Sequence, residues 1–123
     1  MSDDTNGPDG VASGEHAAPA QIDLYWRPGC GFCSMLRRKL DQLGIERVEH
    51  DIWDDAAHAA VVRSHANGNE TVPTVVVGDV GMVNPSADDL VTYLARHAPH
   101  LLPEGVEPPQ PGPVARAVGK LLG

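Results

Sequence analysis

The sequence predicts a single α/β domain: a mixed four-stranded sheet flanked by three helices, in the order β-α-β-α-β-β-α. Three observations carry this expectation. Short apolar runs suited to strands alternate with segments whose apolar residues recur every three or four positions, as on a helix face. The two cysteines of the chain, Cys30 and Cys33, fall where the first strand gives way to the first helix. The valine run at Thr74 to Val77 is dense enough for a strand buried on both faces. With 123 residues, the chain has the size of one domain with room for tails.

Taken in order, residues 1–20 are acidic and rich in Gly, Pro and Ala, and are expected to be a disordered tail. The domain is expected over 21–100. Ile22 to Trp26 reads as a short buried strand, ended by Pro28-Gly29. Phe32, Met35, Leu36, Leu40 and Leu43 then mark the apolar stripe of a helix, with Gly44 as its stop. Glu46 to Ile52 is the second strand. Asp54 or Asp55 caps a helix running to Ala66, because either carboxylate accepts free N–H groups of the first turn, and Asn67-Gly68 ends it. After the Thr74 to Val77 strand, a turn over Gly78 to Gly81 leads to a hairpin partner at Met82-Val83-Asn84. Ser86-Ala87-Asp88-Asp89 opens the last helix with a capping-box pattern; Leu90, Val91 and Leu94 form its inner stripe, and Pro99 lies past its end. Right-handed crossovers make the first two strands parallel, and the final hairpin is antiparallel. This is a thioredoxin-like order. Five prolines (Pro103, Pro108, Pro109, Pro111, Pro113) make 101–123 a Pro-rich tail.

A net charge of -8 opposes binding to nucleic acid, which needs clustered Lys and Arg. The chain has no apolar run of membrane-spanning length, and its first residues lack the basic and apolar regions of a secretory leader, so a cytoplasmic location with no membrane association is expected. Two cysteines two residues apart cannot staple distant parts of a fold. In a reducing compartment such a pair is redox-active or metal-binding.

Position decides between these. The free N–H groups and positive dipole end of the helix that starts at Cys30 favour a thiolate there, so a lowered Cys30 pKa is expected. Between Ile22 and Arg47 five basic residues face three acidic ones, which adds to the same field. Cys33 lies one turn in, on the same side and more buried, so Cys30 attacks and Cys33 resolves or stands by. A structural zinc site needs two further ligands, and the six histidines show no paired spacing to supply them, so no metal is expected.

The segments Tyr25-Trp26-Arg27-Pro28-Gly29-Cys30-Gly31-Phe32-Cys33, Asn67-Gly68-Asn69-Glu70-Thr71-Val72-Pro73-Thr74 and Asn84-Pro85-Ser86-Ala87-Asp88 together resemble the mycoredoxins, glutaredoxin-like members of the thioredoxin superfamily. The resemblance covers about Ile22 to His97. It implies a thiol–disulfide oxidoreductase that reduces mixed disulfides of proteins with mycothiol. Glutathione-dependent glutaredoxins carry Gly-Gly where this chain has Asn84-Pro85, which argues against glutathione. The resemblance also implies that Pro73 is cis and faces the active cysteine, with the backbone of Val72 pairing with the substrate; X-Pro bonds are cis in only about 5–6% of cases, so position alone does not imply it.

On this reading Cys30 and Cys33 are the catalytic residues. Trp26, Arg27, Phe32, Val72, Pro73, Ser86, Ala87 and Asp88 are the candidates for binding the thiol substrate. Trp26 and Phe32 form either an aromatic rim or ordinary packing, Ser86 is first a helix cap, Trp53 anchors the second helix to the sheet, and Arg37 and Arg38 lie on a solvated helix face. No bound cofactor is expected. Mycothiol is the co-substrate, and electrons come from NADPH through a separate mycothiol disulfide reductase, since the chain has no Gly-rich dinucleotide motif. The expected partners are mycothiol and S-mycothiolated proteins, and the chain is expected to be a monomer. Three other readings stay open: a dithiol electron donor linked to thioredoxin reductase, a catalytically idle interaction module, and a [2Fe–2S] cluster carrier, because Cys30-Gly31-Phe32 matches the start of the Cys-Gly-Phe-Ser site of monothiol glutaredoxins.

Overall fold

The computed structural model describes residues 18–109. Most of the two tails, and with it the expectation of disorder for the first of them, lies outside the described residues. The elements are β1 (Ile22–Trp26), α1 (Gly31–Leu43), β2 (Val48–Asp51), α2 (Ala56–His65), β3 (Thr74–Val77), β4 (Val80–Val83) and α3 (Ala87–His97), followed by a 3₁₀ turn at Pro99–Leu101. The sheet order is β2-β1-β3-β4, with β1 parallel to β2 and the β1–β3 and β3–β4 pairs antiparallel. The mixed four-stranded sheet with three helices is the predicted one.

Strand alternation sorts the core into two layers. Ile22 and Leu24 of β1 and Val75 and Val77 of β3 face α1 and α3, where they pack with Leu36, Leu40, Leu90 and Leu94. Tyr25 and Val76 face the other way and pack with Ile52 and with Ala59 and Val62 of α2. Thr74 is fully buried, and its hydroxyl donates to the Thr71 carbonyl at 2.8 Å, so its burial leaves no unsatisfied polar group.

Helix ends follow local chemistry. Gly44 terminates α1 in the left-handed region (φ 73°), and Asp55, not Asp54, caps α2 by accepting from Ala57 N–H at 2.8 Å. The Ser86/Asp89 capping box of α3 is complete in both directions.

Several details differ from expectation. β2 is shorter than Glu46 to Ile52, because the Arg47 side chain bonds the Ile45 and Arg37 carbonyls and holds the approach to the strand as a loop. β4 begins earlier, at Val80, since Gly78-Asp79 alone makes the turn, with Gly78 at φ 62°. It ends before Asn84, whose φ of 51° breaks the strand. Trp53 does not anchor α2: it is 66% exposed, on the loop after β2. Past residue 100 the chain stays against the core, with Leu101, Leu102 and Val106 resting on the larger cluster.

Candidate active site

Cys30 is the N-cap of α1 (φ -89°, ψ 112°), and its sulfur accepts from the backbone N–H of Cys33 at 3.2 Å. The sequence builds this locally. Pro28-Gly29 turns the chain out of β1, with Gly29 at φ 81°, and no carboxylate stands in the first turn of α1 to oppose negative charge on the sulfur. From the other side, the Cys30 thiol donates to the Val72 carbonyl at 3.7 Å. The Val72-Pro73 bond is cis, and the Pro73 carbonyl accepts from Asn84 N–H at 2.7 Å, which ties the proline loop to the segment leading into α3. Cys30, Cys33, Val72 and Pro73 therefore form one constellation, as the resemblance implied.

The two cysteines are free thiols in different environments. Cys30 keeps 8% of its surface exposed and Cys33 only 1%. Burial, together with the hydrogen bond to Cys30, pushes the Cys33 thiol up from 9.0 to about 12, against the smaller opposing pull of the Arg27 backbone. At neutral pH Cys33 is a buried thiol, and its backbone N–H also serves the Cys30 sulfur.

A groove of about 420 Å³ opens between α1 and the start of α3, and Phe32, between the two cysteines in sequence, is part of its wall. Phe32, Ser86, Ala87 and Asp88 line it, so four of the expected binding residues share one concavity. Trp26 and Arg27 lie elsewhere. The Trp26 ring packs on the core under the Arg37 guanidinium, 4.3 Å from its centroid, and Arg27 stands 5.5 Å over the exposed Trp53 ring. Arg37 also pairs with Glu49 at 2.9 Å, so it does not belong to a merely solvated helix face.

Asn84, which the resemblance had singled out with Pro85, also lines the groove, and so do Met35, Arg38, Lys39 and Gln42, which sequence reasoning missed as binding residues. The signal was present: Phe32, Met35, Lys39 and Gln42 follow three- and four-residue spacing on α1. Phe32 and Met35 were placed on the helix's apolar stripe, Phe32 also as a binding candidate, and they are 64% and 63% exposed. Leu36 and Leu40 alone satisfy the core at that height, leaving the adjoining row outside. Among the described residues, no group of three or more His, Cys, Asp or Glu side chains is placed to hold a metal ion.

Comparison with known proteins agrees with this geometry. The glutaredoxin family profile matches residues 22–82. A Mycobacterium tuberculosis protein named as a glutaredoxin is 38% identical over 80 residues, covering 64% of this chain and 95% of the relative. A hybrid peroxiredoxin of Haemophilus influenzae is 31% identical over 81 residues, covering 66% of this chain and 32% of that larger protein. Among solved structures, a point mutant of the thioredoxin-like protein BC3987 superposes with a TM-score of 0.55 at 22% identity, covering 62% of this chain and 96% of its own, a likeness of fold.

Proposed function

We propose, from the premise that this chain belongs to the glutaredoxin family of thiol oxidoreductases, that it reduces mixed disulfides between proteins and mycothiol in the cytoplasm through Cys30. The observation that carries this reading is the unequal pair: the Cys30 sulfur receives the Cys33 N–H, while the Cys33 thiol is buried and held protonated.

The steps balance as two thiol exchanges. The Cys30 thiolate attacks the mycothiol sulfur of the mixed disulfide, the disulfide bond breaks, and the client leaves as a thiolate that takes up a proton. A Cys30–mycothiol disulfide remains. A second mycothiol thiolate attacks its mycothiol sulfur, freeing Cys30 and forming mycothiol disulfide. A separate reductase then returns this to mycothiol with electrons from NADPH.

The alternative exit, attack by Cys33 on the Cys30–mycothiol disulfide, has to start from a sulfur that is only 1% exposed and must first lose its proton. The monothiol route is therefore the main one. Phe32, Ser86, Ala87 and Asp88 receive the low-molecular-weight thiol, and Val72 aligns it through its backbone. Asn84-Pro85 fills the place of the Gly-Gly pair of glutathione-dependent relatives and disfavours glutathione.

The test is the NADPH-coupled rate at which wild type and Cys33→Ser reduce a mycothiol mixed disulfide, beside the same assay with glutathione. Retained activity of the variant with mycothiol, and little with glutathione, is the expected result. Inactivity of both proteins until thioredoxin reductase is supplied overturns the reading.

A further inference from the structure

Two apolar side chains, Phe32 and Met35, stand exposed on the turn of α1 next to Cys30, and two cations, Arg38 and Lys39, follow on the same wall of the groove. The row from Phe32 to Gln42 spans ten residues of helix, about 15 Å at the α-helical rise. An extended chain of roughly four or five residues matches that length.

The cations are the distinctive part. The chain carries a net charge of -8, and its other arginines near this helix are engaged: Arg37 with Glu49, and Arg47 with Asp41 and Glu49. Among the described residues, Arg38 and Lys39 pair with no carboxylate. Asp88 stands on the opposite wall, at the start of α3, so negative groups entering the groove are drawn to the α1 side. Repulsion from the rest of the acidic surface is screened beyond about 8 Å at physiological salt, while close contacts are screened less.

We infer that the outer face of α1 is a docking strip for client proteins, and that it selects clients whose redox cysteine is followed, moving away from the sulfur, first by an apolar residue and then by carboxylates. The apolar residue covers Met35, beyond the place of the small thiol at Phe32, and the carboxylates pair with Arg38 and Lys39. This inference rests on Cys30 being the nucleophile and adds a partner class to that reading, whichever small thiol is used.

The test uses peptides whose single cysteine is activated as a thiopyridyl disulfide. Attack by Cys30 on the peptide sulfur releases thiopyridine, which is read optically and requires no mycothiol. One peptide places leucine and then two glutamates beside the cysteine, a second replaces the glutamates by lysines, each is made in both chain directions, and mercaptoethanol thiopyridyl disulfide is the control without a peptide. The full chain should react roughly three- to tenfold faster with the acidic peptide in at least one direction, the range expected of two exposed ion pairs. The Arg38→Glu/Lys39→Glu variant should lose that preference once each peptide rate is divided by the same protein's rate on the control. Equal rates on both peptides in both directions, or a preference that survives charge reversal, overturns the docking strip. Failure of the mycothiol reading would instead appear in the coupled assay and leave these rates unchanged.

Discussion

The backbone N–H of Cys33 lies 3.2 Å from the sulfur of Cys30, so the second cysteine serves the first through its main chain while its own sulfur is buried. That relationship makes the two residues unequal in a way that a Cys-x-x-Cys motif alone does not reveal. Substituting Cys33 removes a side chain but retains the N–H.

Alkylation should report the inequality directly. Under reducing conditions and at neutral pH, limiting iodoacetamide should modify Cys30 first, with at least tenfold selectivity over Cys33, because the thiolate is the reactive form and Cys33 is held protonated. Peptide mapping by mass spectrometry checks this; comparable labelling of both cysteines contradicts it.

Stability should fall in alkali through Cys33. Its folded pKa of about 12 exceeds the ordinary 9.0, so between these values the folded chain binds more protons than the unfolded one. The contribution is complete below about pH 9 and is lost as pH rises toward 12. Urea unfolding under reductant should show the stability difference between wild type and Cys33→Ala shrinking as pH rises from 8 to about 11. Tyr25, whose pKa burial also raises, is common to both proteins and cancels in the difference. A difference that does not change with pH contradicts the assignment.

The Gly81–His65 contact should tolerate no methyl group. A Cβ on Gly81 would collide with the His65 ring and lie 2.7 Å from its Cβ, where α2 crosses β4. Gly81→Ala should cost about 1–3 kcal/mol, as overpacking does. Adding His65→Ala should recover part of that loss, a coupling that denaturant melts of the single and double variants measure.

The α3 cap should carry a separate share of stability. Ser86→Ala removes the acceptor for Asp89 N–H, held at 3.0 Å, and should cost about 1 kcal/mol. Ser86 also lines the groove, so a loss of activity larger than the loss of stability would show that it contacts the thiol as well. Thermal unfolding alongside the coupled assay separates the two effects.

Much of the architecture was legible because local and global signals agree. β1 and β3 match residue for residue, since their flanks are strong breakers and their apolar content leaves no other period. The placing of Cys30 and Cys33 at the strand-to-helix junction was legible from one motif. The groove was harder to read. Helical spacing placed Met35 on the same apolar stripe as Leu36 and Leu40, but that spacing gives a row, not the side of the helix the sheet covers, and Leu36 and Leu40 filled the buried side. Trp53 misled in the same way: a large apolar side chain near a helix suggests an anchor, while here Arg27 covers its ring from outside. Such choices depend on contacts far apart in sequence, which periodicity does not encode.

The most direct test of the central claim is the mass of the first covalent intermediate. Cys33→Ser, mixed with one equivalent of a peptide carrying a mycothiol mixed disulfide and quenched early with acid, should show mycothiol attached at Cys30 and free peptide thiol in solution. An adduct that carries the peptide instead, or mycothiol attached at any other residue, contradicts the account.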